Sequence, residues 1–179
     1  MGAVFLIGFM ACGKTTLGSA LAARHPEMEF IDLDDEAEQV EGMSVAEIFA
    51  RKGEPYFRQL ESQLLRSVGG RPNVIVGCGG GTPCHGGNME WMNANGLTVR
   101  LVAPLDVTLR RLREGGDKRP LVAGKTDEQL RDEVIRRLAS RDADYSKAAM
   151  TFDSSQLESE EQIERSCRRF MTLISNHMK

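Results

Sequence analysis

The sequence lacks the patterns by which cysteine and histidine usually hold a metal ion. Four cysteines are present, but no two of them form a CxxC pair, and the three histidines supply neither an HxxxH nor an HExxH spacing. We therefore expect no zinc site. Without paired cysteines or a recognisable secretory signal, reduced thiols in a cytoplasmic protein are the simplest interpretation.

The chain also lacks a surplus of positive charge and any long apolar run. Its 23 lysine and arginine residues are outnumbered by 26 aspartate and glutamate residues, so the net charge is −3. This balance gives no overall positive field for DNA or RNA, and no segment approaches the roughly 20 apolar residues of a membrane span. Nucleic acids and membranes are therefore poor candidates as partners, and we expect a monomer that acts on small molecules.

What the sequence does contain is a regular alternation of short apolar runs and amphipathic stretches. Its 179 residues suffice for one hydrophobic core, so we predict a single domain over 1–179. The alternation predicts an α/β fold in which helices cover both faces of a parallel sheet. Ligands in such folds bind beyond the carboxyl ends of the strands. The predicted strands are Val4–Ile7, Phe30–Leu33, Val74–Val76, Leu97–Val102 and Met150–Phe152.

Local signals between those strands predict helix starts and one loop. Ser44 with Glu47, and Ser159 with Gln162, match the capping box that begins a helix. Residues 113–126 mix glycine, proline and charge without periodicity. We therefore predict a mobile loop between two helices in that segment.

The stretch from Gly8 to Thr15 matches the phosphate-loop pattern GxxxxGK[ST], after one predicted strand and before a predicted helix. A phosphate chain needs consecutive backbone N–H groups, which a loop with little side-chain bulk at a helix N-terminus supplies. Lys14 would then bind the β and γ phosphates, and the Thr15 hydroxyl would bind Mg²⁺. Because no NKxD stretch follows to recognise guanine, ATP is the expected nucleotide. The alternative is a glycine-rich turn with a solvent-exposed lysine.

Two acids occur at the end of the second predicted strand. Asp32 and Asp34 are two residues apart, so on a strand both carboxylates would lie on one face, near the phosphates of a nucleotide. One could bind Mg²⁺ directly or through water, while the other accepts a proton from an attacking hydroxyl. Equally, these acids could begin the following helix, because negative charge is favourable in a first helical turn.

Two further places supply candidate substrate contacts. Gly79, Gly80 and Gly81 follow the third predicted strand and permit close approach to a ligand, although a flexible turn would use the same residues. Arg58 and Glu61 are three apart on a predicted helix, so Glu61 could hold Arg58 as a fork for a carboxylate. A surface ion pair is the alternative for this second pattern.

Together these motifs resemble the shikimate kinase family, in the same order and at near-family spacing. The matching segments, within about residues 3–145, are GFMACGKTT, FIDLDDEAE, SVAEIFARKGEPYFRQLE, GCGGGTP, KRPLV and SRDADY. The resemblance implies a three-layer α/β/α P-loop NTPase fold, related to nucleoside monophosphate kinases, with five parallel strands in the order 2-3-1-4-5. It also implies a substrate-binding helical region at about 33–61 and a lid at about 113–126.

The activity that this resemblance implies is ATP-dependent phosphorylation of the 3-hydroxyl of shikimate, with Mg²⁺ as cofactor. That reaction is a step toward chorismate and the aromatic amino acids. Arg119, within KRPLV, resembles the lid arginine that reaches the transferred phosphate. The implied ATP-binding residues are Ala11, Cys12, Gly13, Lys14, Thr15, Thr16 and Arg119.

The resemblance also implies how the chain binds shikimate and the metal. Asp34 resembles the residue that binds the ring hydroxyls and acts as a base. Arg58 and Arg141 resemble the pair that holds the carboxylate, and 79–81 the backbone beside the ring. Thr15 and Asp32 resemble the metal-site residues, with Asp32 acting through water.

The sequence departs from the family pattern in three places. Ala11 stands where glycine is usual, and we expect it to be tolerated if its φ is negative. Cys12 could react with thiol reagents or be an inert small residue. The adenine-loop proline is not evident in TFDSSQLESEEQ, and Arg110, Arg111 or Arg113 could stack on adenine.

Two rival functions remain at the level of sequence. A related P-loop kinase could phosphorylate another polyol acid such as gluconate, because two arginines can hold any carboxylate. A non-catalytic ATP-binding module is the rival from another class. It would require degraded catalytic positions, whereas Lys14, Asp32, Asp34 and Arg119 are all present.

Overall fold

The computed structural model describes residues 2–115 and 122–177. Its strands are β1 (Ala3–Ile7), β2 (Glu29–Asp32), β3 (Val74–Gly77), β4 (Gly96–Val102) and β5 (Met150–Asp153). Its helices are α1 (Lys14–Arg24), α2 (Leu33–Glu41), α3 (Val45–Lys52), α4 (Glu54–Val68), α5 (Asn88–Asn95), α6 (Leu105–Glu114), α7 (Asp127–Tyr145) and α8 (Glu160–His177). A short 3₁₀ turn at Thr82–Cys84 follows β3. No helix in the described ranges is long and apolar enough to cross a membrane.

The five strands form one parallel sheet in the order β2-β3-β1-β4-β5. All five predicted strands are therefore confirmed, with ends that differ by one residue. The strand order is the one that the family resemblance implies, so the predicted fold class is confirmed. In this order β1 is the central strand, and the loop that follows it emerges in the middle of the carboxyl edge.

Alternating residues of β1 explain why helices cover both faces of the sheet. Phe5 and Ile7 belong to one buried cluster, which includes Leu65 of α4 and Val134 of α7. Val4 and Leu6 point to the opposite face and belong to a second cluster with residues of α1 and α8. Every residue of β1 is buried. A strand enclosed in this way is a continuous apolar run, as expected for the centre of a three-layer fold.

The helix starts follow the capping signals closely. Ser44 accepts a hydrogen bond from the Glu47 N–H, and the Glu47 side chain bonds back, so the predicted capping box begins α3. The Ser159 side chain accepts from the Gln162 N–H at the start of α8. Helix α7 begins with a further capping box, formed by Thr126 and Gln129, which the sequence analysis missed. It also missed α5, whose eight residues show no clear helical period of apolar positions.

The segment 113–126 is not a loop throughout. Helix α6 continues to Glu114, so Arg113 is helical, and its side chain bonds Asp127 and the Lys125 carbonyl. The prediction of a loop is therefore wrong for its first two residues, 113 and 114, which belong to α6. The apolar periodicity of α6 extends to this point and explains why the helix continues. Arg119, with the rest of KRPL, lies outside the described residues.

Candidate active site

Three chain segments meet at the carboxyl edge of the central strands. The loop Gly8–Gly13 follows β1, Asp32 ends β2, and Gly79–Gly81 follow β3 closely. Because β2, β3 and β1 are adjacent and parallel, their carboxyl ends lie side by side. This edge is where ligands bind in open α/β sheets.

The loop after β1 presents an uncapped helix N-terminus. Gly13 adopts φ 96° and supplies no side chain to cap α1, so the first N–H groups of the helix remain available to an anion. A Cβ at Gly13 would also lie 2.5 Å from Leu157 Cδ1, which adds to the preference for glycine that the positive φ sets. Thr15 and Thr16 occupy the first turn of α1 and are exposed. The strand-loop-helix context of the phosphate-loop pattern is therefore present.

Ala11 differs from expectation. Its φ is +60°, in the left-handed region that L-residues other than asparagine and aspartate rarely adopt. The expectation that alanine is tolerated required a negative φ, and that condition is not met, so the loop holds Ala11 in a strained conformation. The neighbouring Cys12 is 2% exposed, which favours the interpretation of an inert residue.

Lys14 folds back over the same loop. Its Nζ donates to the Gly8 and Phe9 carbonyl oxygens, at 3.0 Å each, and lies 3.7 Å from Cys12 Sγ. The side chain is partly buried, so the alternative of a solvent-exposed lysine is not what the structure shows. The ammonium group thus spans the loop that phosphates would enter.

Asp32 caps the following helix and also contacts the phosphate loop. Its Oδ1 accepts from the Asp34 N–H, which caps α2, and its Oδ2 accepts from the Thr15 hydroxyl at 2.8 Å. The two residues fit Mg²⁺, which prefers oxygen ligands. The Thr15 hydroxyl donates its hydrogen bond to Asp32, so the lone pairs of the Thr15 oxygen remain able to bind a cation.

Asp34 lies in the first turn of α2 and not on β2, because β2 ends at Asp32. The predicted arrangement of two acids on one strand face is therefore wrong, although the helical turn still brings them close together. Burial, followed by the negative charges of Asp32 and Glu61, raises the pKa of Asp34 to about 6. Near neutral pH this carboxylate is ionised yet ready to accept a proton.

Glu61 holds Arg58 in place from inside the protein. Its carboxylate, with a side chain only 1% exposed, pairs with Arg58 Nη1 at 2.9 Å, and its other oxygen accepts from the Thr82 hydroxyl. Glu54 binds Arg58 from the solvent side at 3.1 Å. The predicted contact between Arg58 and Glu61 is confirmed, and it is buried, which excludes the alternative of a surface pair.

The glycines at 79–81 leave room for charged side chains of the site. A Cβ at Gly79 would lie 2.5 Å from Glu61 Oε1, and one at Gly81 would lie 2.5 Å from Arg58 Nη2. Gly81 has φ −99°, so close approach explains the glycine there and a left-handed backbone does not. The predicted close approach is thus to side chains of the protein itself.

Arg141 reaches the same place from α7. Its Nη1 donates to the Gly80 carbonyl at 3.0 Å, and its guanidinium lies 5.8 Å from the centre of the Phe9 ring. Sequence analysis missed Tyr145, whose hydroxyl donates to the same carbonyl at 2.6 Å. Because Tyr145 is four residues after Arg141, helical spacing within SRDADY could have placed both on one face.

The candidate arginines for adenine differ in position. Arg111 donates to the carbonyls of Ser154 and Ser155, at 3.1 and 3.0 Å, and lies beside Gly13. Arg110 instead pairs with Glu158 at the surface, and Arg113 is bonded on the side of α7. The structure therefore places Arg111, together with the segment 154–158, nearest to the phosphate loop.

Comparison with known proteins gives the family of this chain. The family model for shikimate kinase matches residues 10–172. The shikimate kinase of Phocaeicola vulgatus is 45% identical over 166 residues, which cover 93% of this chain and 94% of that protein. The chain belongs to the shikimate kinase family.

Solved structures of the family share its fold. A crystal structure of shikimate kinase from Bacteroides thetaiotaomicron has a TM-score of 0.92 and 42% identity, and covers 97% of this chain and 98% of that one. The shikimate kinase from Acinetobacter baumannii, solved in complex with shikimate, has a TM-score of 0.81 and 28% identity, over 100% of this chain and 96% of its own. The family membership thus extends over the whole fold.

Proposed function

We propose that this chain transfers the terminal phosphoryl group of ATP to the 3-hydroxyl of shikimate, on the way to chorismate and the aromatic amino acids. The observation that carries the proposal is that a phosphate loop, a carboxylate with a raised pKa and two arginines meet around the turn at 79–81, at the carboxyl edge of the sheet. Membership of the shikimate kinase family supports the choice of substrate, and a relative solved with shikimate supports it further.

The phosphate loop would bind the nucleotide. The free N–H groups at the start of α1 suit the phosphate oxygens, and Lys14 would exchange its two carbonyl partners for the β and γ phosphates. Arg119 is proposed to approach the transferred group from the lid, at about 113–126. The remaining proposed ATP contacts are Ala11, Cys12, Gly13, Thr15 and Thr16.

Thr15 and Asp32 would hold Mg²⁺, the first directly and the second through water. When bound, Mg²⁺ neutralises charge on the β and γ phosphate oxygens. The bond between the Thr15 hydroxyl and Asp32 orients the threonine oxygen in advance. Asp32 itself is fixed because it also caps α2.

Asp34 would bind the acceptor hydroxyl and remove its proton as the new bond to phosphorus forms. A base is most useful when its pKa lies near the working pH, and the pKa of Asp34 is about 6. A carboxylate with an ordinary pKa would be a weaker proton acceptor. Burial and the nearby acids thus prepare Asp34 for this role.

Arg58 and Arg141 would hold the substrate carboxylate. Glu61 fixes Arg58 and the Gly80 carbonyl fixes Arg141, so both guanidinium groups are oriented before substrate arrives. The backbone at 79–81 would lie beside the ring. We also propose a single-domain cytoplasmic monomer with a substrate-binding region at about 33–61, and with neither nucleic acid nor membrane as a partner.

A substrate panel tests the proposal. ADP release should be measured with ATP and Mg²⁺ in the presence of shikimate, gluconate or a nucleoside monophosphate. We expect shikimate alone to support rapid release, and Lys14→Ala to abolish it. Release with gluconate but not shikimate would favour the related polyol acid kinase, and ATP binding without release would favour the non-catalytic module.

A further inference from the structure

The carbonyl oxygen of Gly80 accepts two hydrogen bonds from the same helix. Tyr145 Oη donates to it at 2.6 Å, and Arg141 Nη1 donates to it at 3.0 Å. Both donors lie on the last turns of α7, whereas Gly80 lies in the turn after β3. The Gly80 peptide group therefore attaches the end of α7 to the substrate-side turn.

The tyrosine hydroxyl is well suited to this role. Its side chain is buried, with 1% of the residue exposed, and burial raises the pKa of Tyr145 to about 12. The hydroxyl therefore keeps its proton and remains a donor at physiological pH. Arg100 of β4 lies 5.4 Å from the ring centre and is itself paired with Asp142 of α7 at 2.9 Å, which restricts movement of the ring.

The Gly80 peptide also lies close to the phosphate loop. A Cβ placed on Gly80 would be 3.6 Å from the Met10 nitrogen and 3.7 Å from the Gly8 oxygen. Arg141 in turn packs on Phe9 of that loop. The Gly80 carbonyl thus contacts the Arg141 guanidinium, and its peptide lies next to the phosphate loop.

We propose that Tyr145 is a positioning residue for the substrate carboxylate, because its hydroxyl fixes the Gly80 carbonyl and thereby the Arg141 guanidinium. The proposal rests on the proposed function, in which Arg141 holds that carboxylate. Arg141 donates one N–H to the Gly80 carbonyl, so the orientation of this carbonyl sets the orientation of the guanidinium. The other N–H donors of Arg141 then point toward the substrate carboxylate in the proposed arrangement. Without the hydroxyl, the Gly80 carbonyl keeps only one of its two donors, and the Arg141 guanidinium also loses its direct contact with the tyrosine hydroxyl.

Tyr145→Phe tests this with the smallest possible change, since it removes one oxygen and keeps the ring. We expect KM for shikimate to rise by about five- to tenfold, the loss of one buried hydrogen bond. KM for ATP and kcat should stay within about twofold, because the phosphate loop keeps its own backbone bonds. The melting temperature should be recorded for each variant, so that a loss of fold is detected.

Thr98→Val is the matched control. Thr98 lies in the amino-terminal half of β4, away from the carboxyl edge of the sheet, and its buried hydroxyl donates to Asn93 Oδ1 at 2.6 Å and accepts from the Ala149 N–H, so this variant also loses buried hydroxyl bonds at nearly constant shape. Its KM for shikimate should equal that of the unchanged protein. A rise in both variants would show a general effect of lost buried hydroxyl bonds and would overturn the proposal.

A double-mutant cycle with Arg141→Lys separates positioning from packing. If Tyr145 acts through Arg141, Tyr145→Phe should change KM for shikimate by less than about twofold in the Arg141→Lys background. An equal rise in both backgrounds, or an unchanged KM in Tyr145→Phe alone, would overturn the inference while the proposed function stands. Absence of shikimate turnover in the unchanged protein would overturn both.

Discussion

At the scale of single residues, Asp34 shows how its surroundings set its chemistry. Its pKa rises from 3.8 to about 6 because burial and the charges of Asp32 and Glu61 disfavour the ionised form, while Lys14 acts in the opposite direction. The folded protein therefore binds this proton more tightly than the unfolded chain does. The contribution of Asp34 to the free energy of unfolding accordingly rises as the pH falls from about 6 to 3.8, while its capacity as a base falls.

The raised pKa of Asp34 predicts how activity depends on pH. The value of kcat/KM for shikimate should fall as the pH drops below about 6, because protonated Asp34 cannot accept the hydroxyl proton. Steady-state rates between pH 5 and 8 measure it. Asp34→Asn should lose about 10²-fold or more in kcat and lack this limb. Asp35→Asn, at the exposed neighbouring acid, should keep it, and a limb that persists in Asp34→Asn would assign the titration to another group.

Ala11 carries backbone strain that glycine would remove. Its left-handed conformation costs about 1–2 kcal/mol, whereas glycine adds back about 0.5–1 kcal/mol of chain entropy. Ala11→Gly should therefore raise the free energy of unfolding by about 0.5–1 kcal/mol, measured by urea denaturation. A lower stability in this variant would mean that the methyl group makes contacts worth more than the strain.

Replacement of Arg58 should lower the affinity for shikimate. Arg58→Ala should weaken shikimate binding by about 1.5–3 kcal/mol, the loss typical of a hydrogen bond to a charged group. Arg58→Lys should recover only part of it, because an ammonium cannot reproduce the fork. Calorimetric titration with shikimate measures both, with Arg165→Ala as control, because this exposed arginine pairs with Glu161 on α8, away from the site. An unchanged affinity in the two Arg58 variants would reject the carboxylate contact.

The sequence predicted contacts only between residues that are close together in the chain, or where the residue type itself allows a close approach. The pair Arg58 and Glu61 followed from helical spacing of three, and the fit of glycine at 79–81 followed from its lack of a side chain. Tyr145 was not found, because its partner Gly80 is 65 residues away in the chain. The positive φ of Ala11 was also missed, since the loop as a whole imposes it.

At the scale of elements, α6 links the segment 154–158 to the rest of the site. Arg111 donates to two carbonyls of that segment, and Leu157 from the same segment packs against Gly13. Helix α6 therefore fixes the distance between this segment and the phosphate loop. We propose that a nucleotide with its phosphates in the loop would extend its base toward these residues.

Arg111→Ala should loosen the segment 154–158 and raise KM for ATP several-fold, because two carbonyls lose their donors. KM for shikimate should change little, since Arg58 and Arg141 are held by other contacts. Arg168→Ala is a matched control, because this exposed arginine pairs only loosely with Glu164 on α8, at 3.6 Å. An equal rise of both KM values in Arg111→Ala would instead indicate general damage to the fold.

Elements were predicted well where short-range signals exist. Apolar runs located all five strands, and the capping box at Ser44 located α3. Helix α5 lacked a clear apolar face, and the boundary between β2 and α2 was placed too late because Leu33 continues the apolar run. There the Asp32 side chain caps the N-terminus of α2, so the helix begins at Leu33 although this residue continues the apolar strand pattern.

At the scale of the whole molecule, the parallel sheet brings together residues that are far apart in sequence. Thr15, Asp34, Arg58, Gly80 and Arg141 come from five separate segments, yet they surround one edge of the sheet. Alternating strands and helices predicted a parallel sheet, but strand order depends on long-range pairing and came only from the family resemblance. The grouping of these residues at one edge is thus a consequence of topology.

The central claim is that this edge directs the terminal phosphoryl group of ATP onto an alcohol held between Asp34 and two arginines. Phosphorus NMR of a complete reaction with ATP, Mg²⁺ and shikimate tests it most directly. The account predicts one shikimate 3-phosphate for each ADP formed, with little free phosphate. ADP accompanied by free phosphate alone, or a phosphoryl group on another hydroxyl, would contradict it.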